Sequence, residues 1–270
     1  TTGVTQITTT AGGIALNGAV NTNGNNLTLD SAAGITSDNN AGALRLNSGA
    51  GVITLTAAGD IKGANDRDGN ATNIGVTTTG ALSVTSAHDV KLTSAAALNL
   101  GAITTQDGGL VNIATTAGGG IVINGEINTS AGAGGITLNS FEGINGAGLL
   151  HTGDGEITLT AAAGSDINIR VHHGDLGRVS VAGGQDVAIH SLEALRYEPG
   201  GVVHNLTLTA EENKNISLID NIAGAQITGM LAATTTGTGT HTITWLLPRY
   251  TNGAGVQAIF FNPAATPMGA

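Results

Sequence analysis

A short apolar alternation returns many times along this chain and constrains its fold more than any other feature. Each copy has two aliphatic residues with one other residue between them. This is the two-residue period of a strand with one buried face. Gly and Asn flank the copies and can adopt the positive-φ conformations of tight turns. An internal repeat of this kind predicts a solenoid of stacked β-coils. The copies include LTLD (27–30), ITLT (53–56), LSVT (82–85), ITLN (136–139), ITLT (157–160), INIR (167–170) and LTLT (206–209).

The composition favours a narrow aliphatic core over a large globular one. Only 2% of the 270 residues are aromatic, whereas 43 are glycine and 4 are proline. Val, Ile and Leu are abundant and strict Gly-X-Y periodicity is absent, which argues against both collagen and disorder. Stacked coils pair each strand with its equivalent one turn later, at a spacing of roughly 4.8 Å. With roughly 20 residues in each coil, the chain would form on the order of 12 coils and a rod about 60 Å long.

Charge and cysteine content narrow the classes of function. The formal net charge is −10 and only 10% of residues are charged, with no basic cluster of the kind that nucleic acid requires. The chain has no cysteine, so its stability cannot depend on disulfides. Gly, Asn or Asp interrupts every apolar stretch, so no transmembrane helix is predicted. The sequence starts at Thr1 without Met or a signal peptide, from which we expect a processed, exported form.

Two segments depart from the repeat. The charged, turn-prone stretch GANDRDGN (63–70) predicts an insertion loop that stands off the solenoid. Residues 243–270 contain four of the six aromatic residues and three of the four prolines. We therefore divide the chain into β-helix repeats at 1–242 and a carboxyl-terminal segment at 243–270, which either caps the last coil or docks on another molecule. Aromatic side chains dominate interface hot spots, and the candidate interface residues are Trp245, Leu246, Leu247, Tyr250, Phe260 and Phe261.

The repeats also resemble those of a known family. Three stretches carry the resemblance: GALSVTSAHDVKLTSAAALNLGAITT (80–105), GGLVNIATTAGGGIVINGEINTSAGAGGITLNS (108–140) and GDGEITLTAAAGSDINIR (153–170). They are similar to the repeats of filamentous-haemagglutinin-type exoproteins, the large adhesins of two-partner secretion, and the similarity covers roughly residues 10–220. The resemblance implies a right-handed parallel β-helix on the outside of a Gram-negative bacterium. The amino-terminal secretion domain of that family is not seen here, which implies a repeat-region piece or a relative exported by another route.

One polar cluster is a candidate for metal or sugar binding. Residues one coil apart stack on one face of a β-helix, so Asp154 or Glu156 could approach His172. Imidazole and carboxylate together suit zinc or a similar divalent cation. The alternative is that these are solvated turn residues, and we expect no metal or other cofactor, with Asp154, Glu156 and His172 as weak metal candidates. The full cluster is His151, Asp154, Glu156, Asp166, His172, His173 and Asp175.

The same cluster leaves an enzyme open as an alternative. Many polysaccharide lyases and hydrolases share the parallel β-helix, so the fold alone does not decide the question. Their chemistry needs grouped carboxylates, or a calcium site with a nearby basic residue. Only Arg170 and Arg178 lie near the acidic cluster, and the central coils lack aromatic platforms for sugar rings. We therefore expect no enzyme and no catalytic residue.

Two weaker alternatives concern calcium and ice. NDRDGN (65–70) has the start of a calcium loop but lacks the bidentate acidic residue at the required distance. Threonine triplets at 8–10, 77–79 and 234–236 could belong to an ice-binding ladder. The simpler explanation is that Thr suits strands and forms hydrogen-bonded ladders between coils.

These observations predict a single all-β, right-handed parallel β-helix with a mechanical function. We expect a secreted or cell-surface bacterial rod that either self-assembles head to tail into a filament or sheath, or serves as an adhesin shaft. Its expected partners are copies of itself or a host or surface glycan, and not nucleic acid. The alternative is a β-helix protein that binds or degrades polysaccharide.

Overall fold

The computed structural model describes residues 3–38, 44–64, 72–211, 214–219, 226–236, 242–246 and 259–263. Throughout these ranges the regular structure is β-strand, and neighbouring strands run parallel. The predicted all-β parallel solenoid is thereby confirmed. None of the described segments is a helix able to cross a membrane.

Within the described residues, 29 strands, numbered in chain order, form two long sheets and one short one. Sheet 1 contains β1 (Val4–Thr9), β4 (Asn26–Ser31), β7 (Ile53–Ala57), β10 (Ala81–Ser86), β12 (Leu98–Thr105), β14 (Ile121–Ile123), β15 (Ile127–Asn128), β17 (Ile144–His151), β19 (Ile167–His172), β21 (Asp186–Ser191), β24 (Asn205–Ala210), β27 (Leu231–Thr235) and β29 (Ile259–Pro263). Sheet 2 contains β2 (Ile14–Leu16), β3 (Val20–Asn21), β5 (Ile35–Ser37), β6 (Leu44–Gly49), β8 (Ile61–Gly63), β9 (Ile74–Thr78), β11 (Val90–Ser94), β13 (Val111–Thr115), β16 (Ile136–Ser140), β18 (Glu156–Ala161), β20 (Arg178–Ala182), β22 (Leu195–Pro199), β25 (Ile216–Ile219) and β28 (Ile243–Leu246). The short sheet pairs β23 (Val202–Val203) with β26 (Gln226–Ile227).

Each strand pairs with the equivalent strand of the next coil, and the length of a coil varies. Ile53 pairs with Leu82, 29 residues later, whereas Leu82 pairs with Leu100, 18 residues later. The chain makes about 10 turns, compared with the roughly 12 that a uniform coil of about 20 residues would give. Most of this difference falls in the turns, and a smaller part falls within strands, where the pairing register shifts, as between Leu82 and Val84 and between Asn145 and Leu149.

The core consists of aliphatic rows that run along the axis of the solenoid. Leu27, Ile53 and Leu82 occupy equivalent inward positions in successive coils, and all three are fully buried. The intervening residues of each strand point outwards, so the sequence alternation is the alternation of core and surface. Since each inward side chain contacts its equivalents in the coils on either side, the core closes almost without aromatic residues.

Buried hydroxyl groups mark the corners where strands end. Thr129 donates its hydroxyl to the carbonyl of Gly134 at 2.7 Å, and Thr152 does the same to Gly155 at 3.0 Å. These turn carbonyls have left the sheet ladder, and a buried carbonyl must find another donor. The same contact joins Ser48 to Gly51, Thr105 to Gly109 and Thr115 to Gly119. Ser31 and Ser140 also donate to the carbonyls of Gly34 and Gly143, which accept a backbone N–H as well. Thr9 makes the corresponding bond to Gly12 at an exposed corner.

Several corner glycines are required because successive corners touch through their backbones. A Cβ added to Gly134 would lie 2.2 Å from the carbonyl oxygen of Gly109, and one added to Gly155 would lie 2.0 Å from that of Gly134. Both distances are far below van der Waals contact. Part of the high glycine content therefore follows from the spacing of the coils rather than from turn conformation.

The described residues on either side of the predicted insertion loop are hydrogen-bonded to each other. Gly63 ends β8 and donates its N–H to the carbonyl of Thr72 at 2.7 Å, and Thr72 donates back to Ala64 at 3.2 Å. Residues 65–71 lie outside the described residues, so the loop itself stays a prediction. Two hydrogen bonds from Thr72 to the carbonyl of Ala64 bring the flanks of this stretch together.

We expect Gly134→Ala to lower the free energy of unfolding by about 1–3 kcal/mol, because the new methyl group overlaps the backbone of the preceding coil. Urea titration followed by circular dichroism measures the change. Gly18→Ala is the matched control, since a Cβ at Gly18 meets no atom within 4 Å. Equal effects of the two substitutions would contradict the proposed contact between corners.

Candidate functional site

The described parts of the predicted carboxyl-terminal segment extend both sheets. In β28, Trp245 pairs with Leu218 and Leu246 pairs with Ile219. In β29, Phe260 and Phe261 pair with Ala232 and Ala233. Both pairings are parallel and continue the coil pattern of the repeats.

Two of the candidate interface residues, Leu247 and Tyr250, lie outside the described residues. For the other four the structure describes the backbone only, so their role in capping or docking stays a prediction. The strand pairing shows that at least part of 243–270 is built as solenoid.

Glu156, one of the weak metal candidates, belongs to an ion-paired chain between coils. Its Oε2 lies 3.0 Å from Nη2 of Arg178, whose Nη1 lies 3.0 Å from Oε2 of Glu198 in the following coil. The hydrogen bond and charge of Glu156, with the charge of Glu198, raise the pKa of Arg178 above its usual value. Glu198 is buried, so Arg178 neutralises a carboxylate that would otherwise be costly to hold there. Glu156 is thus engaged in joining β18, β20 and β22.

Asp154, the second candidate, holds the corner of the next coil. Its Oδ1 accepts a hydrogen bond from the backbone N–H of Leu176 at 3.3 Å. Asp166 makes the same contact to the N–H of Asp186 at 3.2 Å. Because an equivalent hydrogen bond occurs in another coil, the role of Asp154 is explained by its contact with the backbone of the next coil.

His172, the third candidate, forms a stack with His151 on the outer face of sheet 1. The two side chains occupy equivalent positions in β17 and β19, and their ring centroids lie 4.3 Å apart at an interplanar angle of 16°. Nδ1 of His151 lies 2.8 Å from Oε1 of Glu126, and Nε2 of His172 lies 3.8 Å from Oε1 of Glu193. We call these four residues the histidine stack.

The geometry of the histidine stack does not suit a shared cation. Nearly parallel rings direct their in-plane nitrogen lone pairs along separate planes, whereas a metal needs lone pairs that converge. Across the described ranges, no group of three or more His, Asp or Glu side chains could hold a metal ion. Five of the seven residues of the predicted cluster instead make contacts that join neighbouring coils, namely His151, Asp154, Glu156, Asp166 and His172. The sequence did not identify Glu126 as the ion-pair partner of His151, or Glu193 as that of His172. In each pair the glutamate and the histidine lie about one coil apart in the sequence.

His173 replaces the usual hydroxyl at one corner. It lies in register one residue beyond the His151–His172 pair, where the preceding coil has Thr152. Its Nδ1 lies 2.9 Å from the carbonyl of Gly174, a contact that requires Nδ1 to carry the proton. Its Nε2 is buried and has no hydrogen-bond partner among the described residues. This burial lowers the pKa of His173 below its ordinary value of 6.5.

Comparison with models of protein families, with curated proteins and with solved structures finds no match.

We expect His173 to make the fold less stable in acid. Because the folded state resists protonation of His173, the unfolded chain binds an extra proton once the pH falls below 6.5, and stability is lost in that range. Above pH 6.5 the effect vanishes. His173→Thr, which restores the corner hydroxyl, should therefore reduce the drop in melting temperature between pH 7.5 and pH 5.

Thermal melts at the two pH values measure this drop. The exposed His204 provides the control substitution His204→Gln, which should leave the drop as it is in the unmodified chain. A His173→Thr variant with the full pH dependence would contradict the assignment of acid sensitivity to this buried imidazole.

Proposed function

We propose that this chain is a mechanical rod, acting as a secreted or cell-surface structural or adhesive shaft. The observation that carries the proposal is that several of its few charged and polar side chains contact a neighbouring coil. Glu156, Asp154 and His172 each contact an adjacent coil, so groups that resembled a reactive cluster serve to join the stack. A protein that works through its length and stiffness needs such contacts along its side.

The continuity of the stack supports the same function. Sheet 1 runs from β1 to β29 without a change in strand direction. Each coil packs chiefly on its two neighbours, so the structure can lengthen without a new core. The resemblance to filamentous-haemagglutinin-type repeats agrees with this proposal and supports a rod on the outside of a bacterial cell.

Two versions of the shaft differ in what the ends of the rod do. A self-assembling subunit forms a filament or sheath, whereas an adhesin shaft remains single and binds glycans or cells through its sides or loops. Electron microscopy of the purified chain at several concentrations separates them. Filaments that lengthen with concentration support the subunit, and isolated rods that bind a glycan surface support the shaft.

Removing residues 243–270 tests the role of the carboxyl-terminal segment. If this segment docks on another copy, the shortened chain should lose its polymers while circular dichroism still reports a folded β-protein. Unchanged polymers in the shortened chain would contradict docking through 243–270.

Enzyme turnover would contradict the mechanical proposal as a whole. The relevant result is cleavage of an acidic polysaccharide by the full chain that is lost in the His172→Ala variant. A panel of acidic polysaccharides assayed for new reducing ends or unsaturated products provides this measurement.

A further inference from the structure

We propose that the outer face of sheet 1 around Arg170 binds the carboxylate groups of an acidic polysaccharide built from uronic acids. We call the side chains of Asn145, Asn168 and Arg170 the arginine face. This inference rests on the proposed shaft function, in its adhesin version, and identifies the class of glycan and the surface that binds it.

Arg170 is an exposed cation without a partner. It occupies an outward position of β19, between the buried residues Ile169 and Val171. Among the described residues its guanidinium has no hydrogen-bond acceptor and no carboxylate at ion-pair distance. Arg178, by contrast, is ion-paired on both sides. A guanidinium presents donors in a planar fork that matches a carboxylate, so this fork is available in Arg170 to a ligand.

The carboxylates that border this face already have partners of their own. The outward residues of β19, β21 and β24 include a single acidic residue, Asp186, which accepts a hydrogen bond from the side-chain amide of Asn205 at 2.6 Å. Asp186 lies four residues along β21 from His190, the register partner of Arg170, which is about 13 Å of strand. Arg170 is therefore left as an uncompensated cation. The other border pairs are Glu126 with His151, Glu193 with Lys214 and Glu211 with His190.

Two side-chain amides complete the arginine face. Asn168 lies two residues before Arg170 on β19, and Asn145 is the register partner of Asn168 in the preceding coil. Both side chains are exposed, and neither amide has a hydrogen-bond partner in the part of the chain that the structure describes. An amide both donates and accepts, as a sugar hydroxyl does. A uronic acid carries a carboxylate and hydroxyls on one ring, so the arginine face offers a partner to each kind of group.

A step in sheet 1 lies at the arginine face. Strand β17 uses residues 145–149 to cover the length that β19 covers with residues 168–170, so β17 is bulged there. The register of β19 with β21 has no such shift. The outer surface therefore changes level between β17 and β19, beside Arg170. Bulges re-aim side chains and are over-represented next to active sites, which supports a binding role for this part of the face.

An extended polymer is the occupant that suits this face. The face lies on the side of the rod, and its polar side chains continue into the following coils, with His190 and then Thr209 in register with Arg170. A ligand lying along the axis can contact several coils, and linked contacts reinforce one another through effective concentration. A small carboxylate would meet Arg170 alone, and one exposed ion pair contributes little.

The charge of the whole chain makes binding of a polyanion a specific test. The formal net charge is −10, so the protein as a whole repels an acidic polymer. Binding therefore requires a local site that outweighs this repulsion.

Binding of polygalacturonate to the full 270-residue chain tests the proposal. Methyl-esterified polygalacturonate is the ligand control, because it keeps hydroxyl groups and lacks the negative charge. Arg170→Gln removes the guanidinium from the arginine face. Lys91→Gln is the matched control, since Lys91 is an outward residue of β11 in sheet 2 and also lacks an ion-pair partner among the described residues. We expect the dissociation constant to rise about tenfold or more in Arg170→Gln and not in Lys91→Gln.

Arg170→Lys separates charge from geometry. Lysine keeps the positive charge and loses the planar fork, so we expect this variant to bind more tightly than Arg170→Gln and less tightly than the unmodified chain. Isothermal titration calorimetry measures the affinities, and circular dichroism confirms that each variant folds.

Three results would overturn the proposal: no binding of polygalacturonate by the unmodified chain, equal binding of the esterified polymer, or equal losses in Arg170→Gln and Lys91→Gln. Tighter binding of dextran sulfate than of polygalacturonate would overturn the assignment to carboxylates. Isolated rods that bind no polygalacturonate would leave the proposed shaft function intact, whereas a particle that is not a rod in electron microscopy would contradict that function itself.

Discussion

The parallel hydrogen-bond ladder between successive coils is the constraint on which the rest of this structure depends. It fixes the spacing of the coils and therefore requires equivalent residues to stack along the axis. Leu27, Ile53 and Leu82 form one such row, and rows of this kind build a core that is almost entirely aliphatic. Where the ladder stops at a corner, a hydroxyl such as that of Thr129 supplies the missing donor. Glycine at the corner lets successive backbones touch.

Charged groups are few in this protein, and several of those that the structure describes join neighbouring coils. Arg178 lies between Glu156 and Glu198 and joins three coils, while Asp154 holds the backbone of the coil that follows. The stacked rings of His151 and His172 also join two successive coils, on the outer face of sheet 1. A solenoid has no deep centre, so contacts of this kind contribute to the cohesion of every layer.

The strands could be predicted from the sequence because the alternation of apolar residues records the buried face directly. LTLT (206–209), for example, lies within β24, and its two leucines are fully buried. The contacts between coils could not be predicted, because the partner of a residue depends on the length of the intervening turn, which varies from coil to coil. Glu156 accordingly contacts Arg178, 22 residues later, and not His172. The buried corner position of His173 was hidden for the same reason.

Hydrogen exchange of backbone amides, measured by mass spectrometry, tests the central claim that one continuous ladder holds the chain together. If each coil is stabilised by its two neighbours, amides from β7 to β24 should exchange slowly as one contiguous block, with protection decreasing towards the end at β1. A rapidly exchanging coil between two protected ones, or protection confined to one half of this block, would contradict the account.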